Sequence, residues 1–279
     1  MRRIDVKKIR QVVADLCVEA NHILRPDVAM VLKRALARET DTRAKGILKA
    51  IMANARVARR EKLAICQDTG LPVVFVQLGS GAYAVGDLKK AIHQGVIEGY
   101  KKGYLRDSII QDPLLRGVSA FGPAVIHIDI VKGNRLKLTV LPKGFGCENK
   151  TQLRMFTPTV KFVEIEKFIV ETVKSAGPDA CPPFVVGVGI GGTADYAMIL
   201  AKKALLRKLN AIRNTQYAIR KLEQDLLKRI NKLNIGPMGL GGKTTALAVS
   251  IETYPTHIAG LPVAVNINCH ALRSASAII

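Results

Sequence analysis

Tryptophan is absent from the 279-residue sequence, and Phe and Tyr bring aromatics to only 5%. That scarcity argues against a nucleic-acid binder that stacks bases on aromatic platforms, although 43 Lys+Arg against 22 Asp+Glu give a formal charge of +21 and a pI near 10.0. The basic residues are spread over helical segments, and no basic stretch interleaves with Phe or Tyr as a stacking platform would, so the charge reads as solvated faces that attract anions. No apolar run approaches the ~18 residues of a membrane span. The opening MRRIDVKKIRQVV alternates charge with apolar positions instead of forming a secretory leader. A soluble, cytoplasmic protein with no membrane partner is expected. Cysteine is scarce too: Cys17, Cys66, Cys147, Cys181 and Cys269 are odd in number and scattered. Disulfide stapling is excluded, and a reduced compartment fits, where a special cysteine is a metal ligand or nucleophile.

What is present is a hydrophobic content of 48%, enough for a sizeable core. Residues 4–60 place Val12, Val13, Leu16, Cys17 and Ala20, then Val31, Leu32 and Ala35, then Ile47, Leu48 and Ile51 at helical spacing. Three amphipathic helices are predicted there, with Cys17 as a small core hydrophobe. From residue 64 short apolar runs take over: LPVVFVQLG, GPAVIHIDIV, RLKLTVLPKG, PFVVGVGIGG, LAVSIETY and LPVAVNINC, each bounded by Gly, Pro or polar residues, which predicts strands. Helices are predicted near 86–102, 160–176 and 194–232. With no linker or repeat to divide it, the chain is expected to form one α/β domain over 1–279, with N-terminal helices and a mixed sheet flanked by helices.

Two glycine motifs invite a nucleotide reading. Gly187, Gly189 and Gly192 in GVGIGG satisfy G-x-G-x-x-G after a strand and before a helix, yet no acidic residue follows about 20 positions later to meet a ribose. That counts against a nicotinamide-dependent oxidoreductase. GPMGLGGKTT resembles a phosphate-binding loop, but Pro237 stands where a P-loop needs its first glycine. What remains is that such glycines let backbone amides approach an anion, which need not be a nucleotide.

Cys66 in ICQDTG, Cys181 in ACPPFVVG and Cys269 in INCHA each sit at a strand boundary. Their spacing matches no local zinc or ferredoxin motif, and taken alone each reads as a structural thiol. In order, however, ICQDTGLPVVF, LRDSIIQDPLLR, PAVIHIDIV, KGFGCENK, CPPFVVGVGIGGTAD, GPMGLGGKTTAL and HIAGLPVAVNINCH resemble the successive blocks of the class I (iron–sulfur) fumarate hydratases. The resemblance is to the α subunit of the two-subunit form, which is similar to the α subunit of L(+)-tartrate dehydratase, and it covers roughly residues 10–275.

The resemblance implies a [4Fe–4S] cluster with one open iron, held by Cys66, Cys181 and Cys269. An unligated iron is a Lewis acid able to take the substrate hydroxyl. It further implies that Gln67, Arg106 and Gly146 bind a C4-dicarboxylate, Arg106 through a bidentate pair, and that Asp68 and His257 are catalytic. A β subunit would complete the active site, giving a heterotetramer active only when assembled. Reversible hydration of fumarate to L-malate is the expected reaction, with conversion of L-tartrate to oxaloacetate as the alternative on shared ligands. A non-catalytic basic nucleic-acid-binding protein is the reading of another class. It predicts no cluster and binding that weakens steeply with salt.

The chain departs from the family pattern in two places. GVSAFG at 117–122 stands where a stretch like NTGDN is common, which removes polar groups near Arg116, and KGFGCEN replaces KGGGSEN, placing Phe145 and Cys147 beside the expected anion site. Cys147 is read as a bystander, since the other three cysteines already match the ligand set.

Overall fold

The computed structural model describes residues 1–209 and 217–279. In chain order these form β1 (Arg2–Asp5), α1 (Val6–His22), α2 (Pro26–Arg38), α3 (Thr42–Glu61), β2 (Leu71–Gly79), β3 (Ala82–Val85) and α4 (Leu88–Lys102). Next come β4 (Ile109–Asp112), β5 (Arg116–Ala120), β6 (Val125–Val131), β7 (Leu136–Lys143), α5 (Phe145–Glu148), β8 (Gln152–Phe156) and α6 (Phe162–Ala176). The chain ends with β9 (Phe184–Gly192), α7 (Ala194–Leu205), α8 (Tyr217–Asn231), β10 (Ala246–Thr256), β11 (Leu261–Asn268) and β12 (Ala275–Ile278). The architecture is α/β, with mixed sheets flanked by helices. It divides into two compact units: residues 1–25, 54–145 and 273–279, and residues 26–53 and 146–272.

The first unit is built on a four-stranded sheet ordered β12-β7-β2-β6, in which β2 runs parallel to β6 and antiparallel to β7. β2 is apolar almost throughout because it is a central strand, with Val73, Val74 and Val76 buried. Helices α1 and α4 pack together over the sheet, sharing a core of Ile9, Val13, Leu16, Cys17, Ile92, Val96 and Tyr100 with Val74, Leu138 and Val140. Their close approach requires Gly95 and Gly99, since a Cβ at either would lie 2.5 Å from a carbonyl of α1. Asp5 and Asp87 cap the two helices, accepting from Lys7 N at 2.8 Å and Lys90 N at 2.9 Å.

The second unit carries a sheet ordered β10-β9-β11-β8, with β9 parallel to β10 and β11 antiparallel to both β9 and β8. Alternation along β9 separates its two faces. Val186 and Val188 join Ile165, Ile169, Val173, Leu226 and Ile230 of α6 and α8 in the core, while Gly187 and Gly189 face α7. A Cβ on Gly187 would fall 2.2 Å from the Ala201 carbonyl, and one on Gly189 2.0 Å from that of Ala197. The G-x-G-x-x-G match therefore serves helix-on-sheet packing. The helical region expected over 194–232 resolves into α7 and α8, and residues 210–216 of that expectation lie outside the described residues. Among the described residues no helix is long and apolar enough to cross a membrane.

Candidate functional site

The first unit contributes the CQDTG turn at the mouth of β2. Cys66 is half-buried there, Gln67 is exposed and Thr69 is buried. Asp68 holds the turn from both ends of its carboxylate: Oδ1 accepts from Gly70 N at 3.0 Å, and Oδ2 accepts from Phe145 N at 2.8 Å, after β7. Gly70 must be glycine, because its φ of +74° goes with a Cβ position 2.8 Å from the backbone of Lys143.

Two further side chains, Arg273 and Tyr100, which carry no motif of their own, lock this turn. Arg273 Nη2 donates to the Asp68 carbonyl at 2.7 Å and its Nη1 to Asn21 Oδ1 at 3.1 Å. The Tyr100 hydroxyl faces the carbonyls of Thr69 at 2.8 Å and Gly70 at 3.0 Å, and burial pushes its phenol well above the ordinary range, so it stays a neutral donor. Arg106 N donates to Thr69 Oγ1 at 3.1 Å. Thr69 thus fixes the backbone of Arg106 near the turn that carries Cys66 and Gln67, while the Arg106 side chain is exposed. The first unit thus brings Cys66, Gln67, Asp68 and Arg106 together. Arg116, at φ +67°, opens β5 of an exposed hairpin whose Leu114, Leu115 and Val118 are 85% or more accessible.

The second unit contributes the other two expected ligands. Cys181 lies just before β9 and Cys269 just after β11, and because Asn268 pairs with Val185 the two cysteines stand at the same end of the sheet. His270 Nδ1 lies 3.0 Å from the Cys181 carbonyl and ties the two loops together. Cys181 itself adopts φ +55°, a conformation costly for a side-chain-bearing residue and characteristic of functional turns.

The glycine-rich segment before β10 supports the same turn. Met238 N donates to the Pro182 carbonyl at 2.8 Å, and Gly239 lies too close to Pro178 to carry a Cβ. The anion it cradles is internal: Glu39 Oε2 accepts from Lys243 N at 2.8 Å, while Oε1 accepts from Thr40 N and Asp41 N. Gly146 is exposed in α5, 3.8 Å from the Asp179 carbonyl by its would-be Cβ, beside the turn that leads to Cys181. Cys147 is buried in the core, its thiol donating to the Ala180 carbonyl at 3.3 Å.

His257 is placed elsewhere. It is exposed in the turn after β10, its Nδ1 accepting from Ala259 N at 3.2 Å. The whole of β11, 8 residues or about 26 Å at ~3.3 Å each, separates that turn from Cys269. The second unit does not bring His257 to its two cysteines.

None of the five cysteines is in a disulfide. Among the described residues no three His, Cys, Asp or Glu side chains converge tightly enough to hold a single metal ion. An iron–sulfur cluster makes a different demand, because its cysteines bind different irons and stand further apart than ligands of one ion. Cys66, Cys181 and Cys269 are each half-buried, and thiolate sulfur is the donor that such a cluster takes.

Comparison with known proteins adds a family match: the model described as fumarate hydratase (Fumerase) matches residues 10–278. A putative L(+)-tartrate dehydratase subunit alpha of Methanocaldococcus jannaschii is 41% identical over 276 residues, spanning 96% of both chains. The L(+)-tartrate dehydratase subunit alpha of Escherichia coli K12 is 30% identical over 278 residues, covering 98% of this chain and 91% of that one.

Proposed function

The chain belongs to the fumarate hydratase (Fumerase) family, and from that premise we propose that it is the α subunit of a two-subunit hydro-lyase that adds water reversibly to fumarate, giving L-malate. The observation that carries the reading is the pairing of Cys181 with Cys269 at one sheet end through His270, matched in the first unit by the locked turn that presents Cys66. These three thiolates would hold a [4Fe–4S] cluster. When bound, such a cluster with one open iron supplies a Lewis acid for the substrate's hydroxyl.

The chain's own groups bind and orient the substrate. Arg106, fixed through Thr69, offers a guanidinium fork for one carboxylate. Gln67 offers an amide beside Cys66, and Gly146 a backbone N–H. Asp68 acts as a positioning group, since both carboxylate oxygens already hold the turn. A β chain supplies the remaining contacts, in line with relatives whose names call them subunit alpha.

The names of those relatives favour a second reading, dehydration of L-tartrate to oxaloacetate. One experiment addresses cluster and substrate together. The chain is reconstituted anaerobically, its iron and acid-labile sulfide are measured, and the complex with its β subunit is assayed on L-malate and L-tartrate. Iron and sulfide lost in Cys66→Ser, Cys181→Ser and Cys269→Ser but kept in Cys147→Ser is the expected result, with turnover of malate exceeding that of tartrate. Iron that survives all three substitutions would overturn the ligand assignment, and faster turnover of tartrate would reverse the choice of substrate.

A further inference from the structure

A cavity of about 220 Å³ lies in the second unit between α8, the start of β10 and the segment after α7. Its walls combine Leu227 and Leu247 with Arg207, Lys208, Arg220 and Glu223, and none of its lining residues belongs to the hydro-lyase set. The one carboxylate is already committed: Glu223 Oε1 accepts from Arg207 Nη1 at 2.6 Å and from Ile251 N at 2.8 Å. Arg207 completes that loop by donating to the Ile251 carbonyl at 2.8 Å. Among the described residues of the cavity wall, no carboxylate pairs with Lys208 or Arg220.

Arg220 is the telling member. Its Nε is buried with no hydrogen-bond partner, although guanidinium donors removed from water are costly to leave unpaired. On α8, Glu223, Gln224 and Leu227 lie three, four and seven positions further on, so one helix face lines the cavity with Arg220 at its start. Arg220 lines the cavity without a carboxylate partner among the described residues, which leaves the accessible part of its guanidinium open to a ligand there.

We propose that this cavity is a binding site for a small polyvalent oxyanion, a phosphate or a compact carboxylate, gripped by Arg220 and Lys208. The site shares no residue with the proposed active site and does not depend on that reading. The chain's overall positive charge raises the local concentration of such anions.

The test uses the full-length chain titrated calorimetrically with inorganic phosphate and separately with citrate, ionic strength held constant with potassium chloride, in wild type, Arg220→Met and Lys208→Met. Thermal midpoints are measured without ligand. Saturable binding of one equivalent of either anion is expected, phosphate or citrate being distinguished by which titrates more tightly. The dissociation constant should rise about tenfold or more in Arg220→Met, and several-fold in Lys208→Met, one charge-assisted contact being removed in each. Arg220→Met should also keep or raise the ligand-free midpoint, because a buried unpaired donor is removed. Binding no stronger than chloride, unchanged affinity in Arg220→Met, or a midpoint that falls in that variant would each overturn the proposal, the last by showing Arg220 to be structural.

Discussion

Tyr100 shows how a residue without a motif can decide the geometry of the candidate site. Its hydroxyl meets two carbonyls of the CQDTG turn inside the core, so Tyr100→Phe leaves them dehydrated and should cost about 1–3 kcal/mol, read as a lowered midpoint in denaturant unfolding. Burial raises the Tyr100 phenol and the Cys17 thiol above their ordinary values of 10.0 and 9.0, and the nearby thiol pushes the phenol further the same way. Both stay neutral in the fold at a pH where the unfolded chain ionises them. Their contribution is therefore complete below about pH 9 and declines as pH rises beyond 9 to 10. Denaturant midpoints across pH 7 to 11 should fall in that window, and less steeply in Cys17→Ala. Thr69→Val removes the acceptor for Arg106 N; under the proposed function it should raise KM for the dicarboxylate substrate of the complex about tenfold through a misplaced guanidinium, while Thr69→Ser keeps it near wild type. The motif residues of this site were legible because their chemistry is local: a thiol, an amide and a carboxylate in one turn. Thr69, Tyr100 and Arg273 were not, because what they do depends on chain segments far away in sequence, and His257 shows the converse, a residue legible by motif that the fold sets a full strand away from Cys269.

At the scale of elements, the strands that could be read were the central ones. β2, β9 and β11 are buried on both faces and so appear as unbroken apolar runs. β1, β3 and β12 have 4 residues each and β8 lies on an edge with most of its side chains exposed, so hydrophobic periodicity has nothing to register there. Both glycine motifs were legible as close backbone approach, but what approaches had to come from the fold: the carbonyls of α7 in one case, the Glu39 carboxylate in the other. Gly189→Ala drives a methyl into the Ala197 carbonyl and should cost about 3 kcal/mol or more by overpacking. Glu39→Gln removes a charged acceptor of three backbone amides and should cost about 1.5–3 kcal/mol. Thermal unfolding checks both, and a Gly189→Ala protein as stable as wild type would refute the packing role.

For the whole molecule, the absence of any linker in the sequence has a topological cause. The chain passes between its two compact units at residues 25/26, 53/54, 145/146 and 272/273, and two of these crossings fall within α3 and α5. No Pro/Ser-rich tether marks a passage made inside a helix, so composition reads the chain as continuous. The last crossing returns only seven residues to the first unit, yet they hold its sheet edge. β12 pairs with β7 from Ala275↔Val140 to Ile278↔Lys137, Ile279 and Leu136 exchange both backbone hydrogen bonds, and Arg273 braces the Asp68 carbonyl. A chain ending at Leu272 would therefore expose the edge of β7, whose Leu136, Leu138 and Val140 are fully buried, and would release the turn that carries Cys66. Hydrogen exchange on that truncated chain should show faster exchange in β7 and in residues 66–70, while β9 and β11, whose neighbours all lie in the second unit, keep wild-type protection. Arg273→Met in the full chain separates the two effects. It should loosen residues 66–70 and leave β7 protected, because β12 remains; uniform loss of protection in that variant would mean that Arg273 supports the unit as a whole and not the turn beneath Cys66.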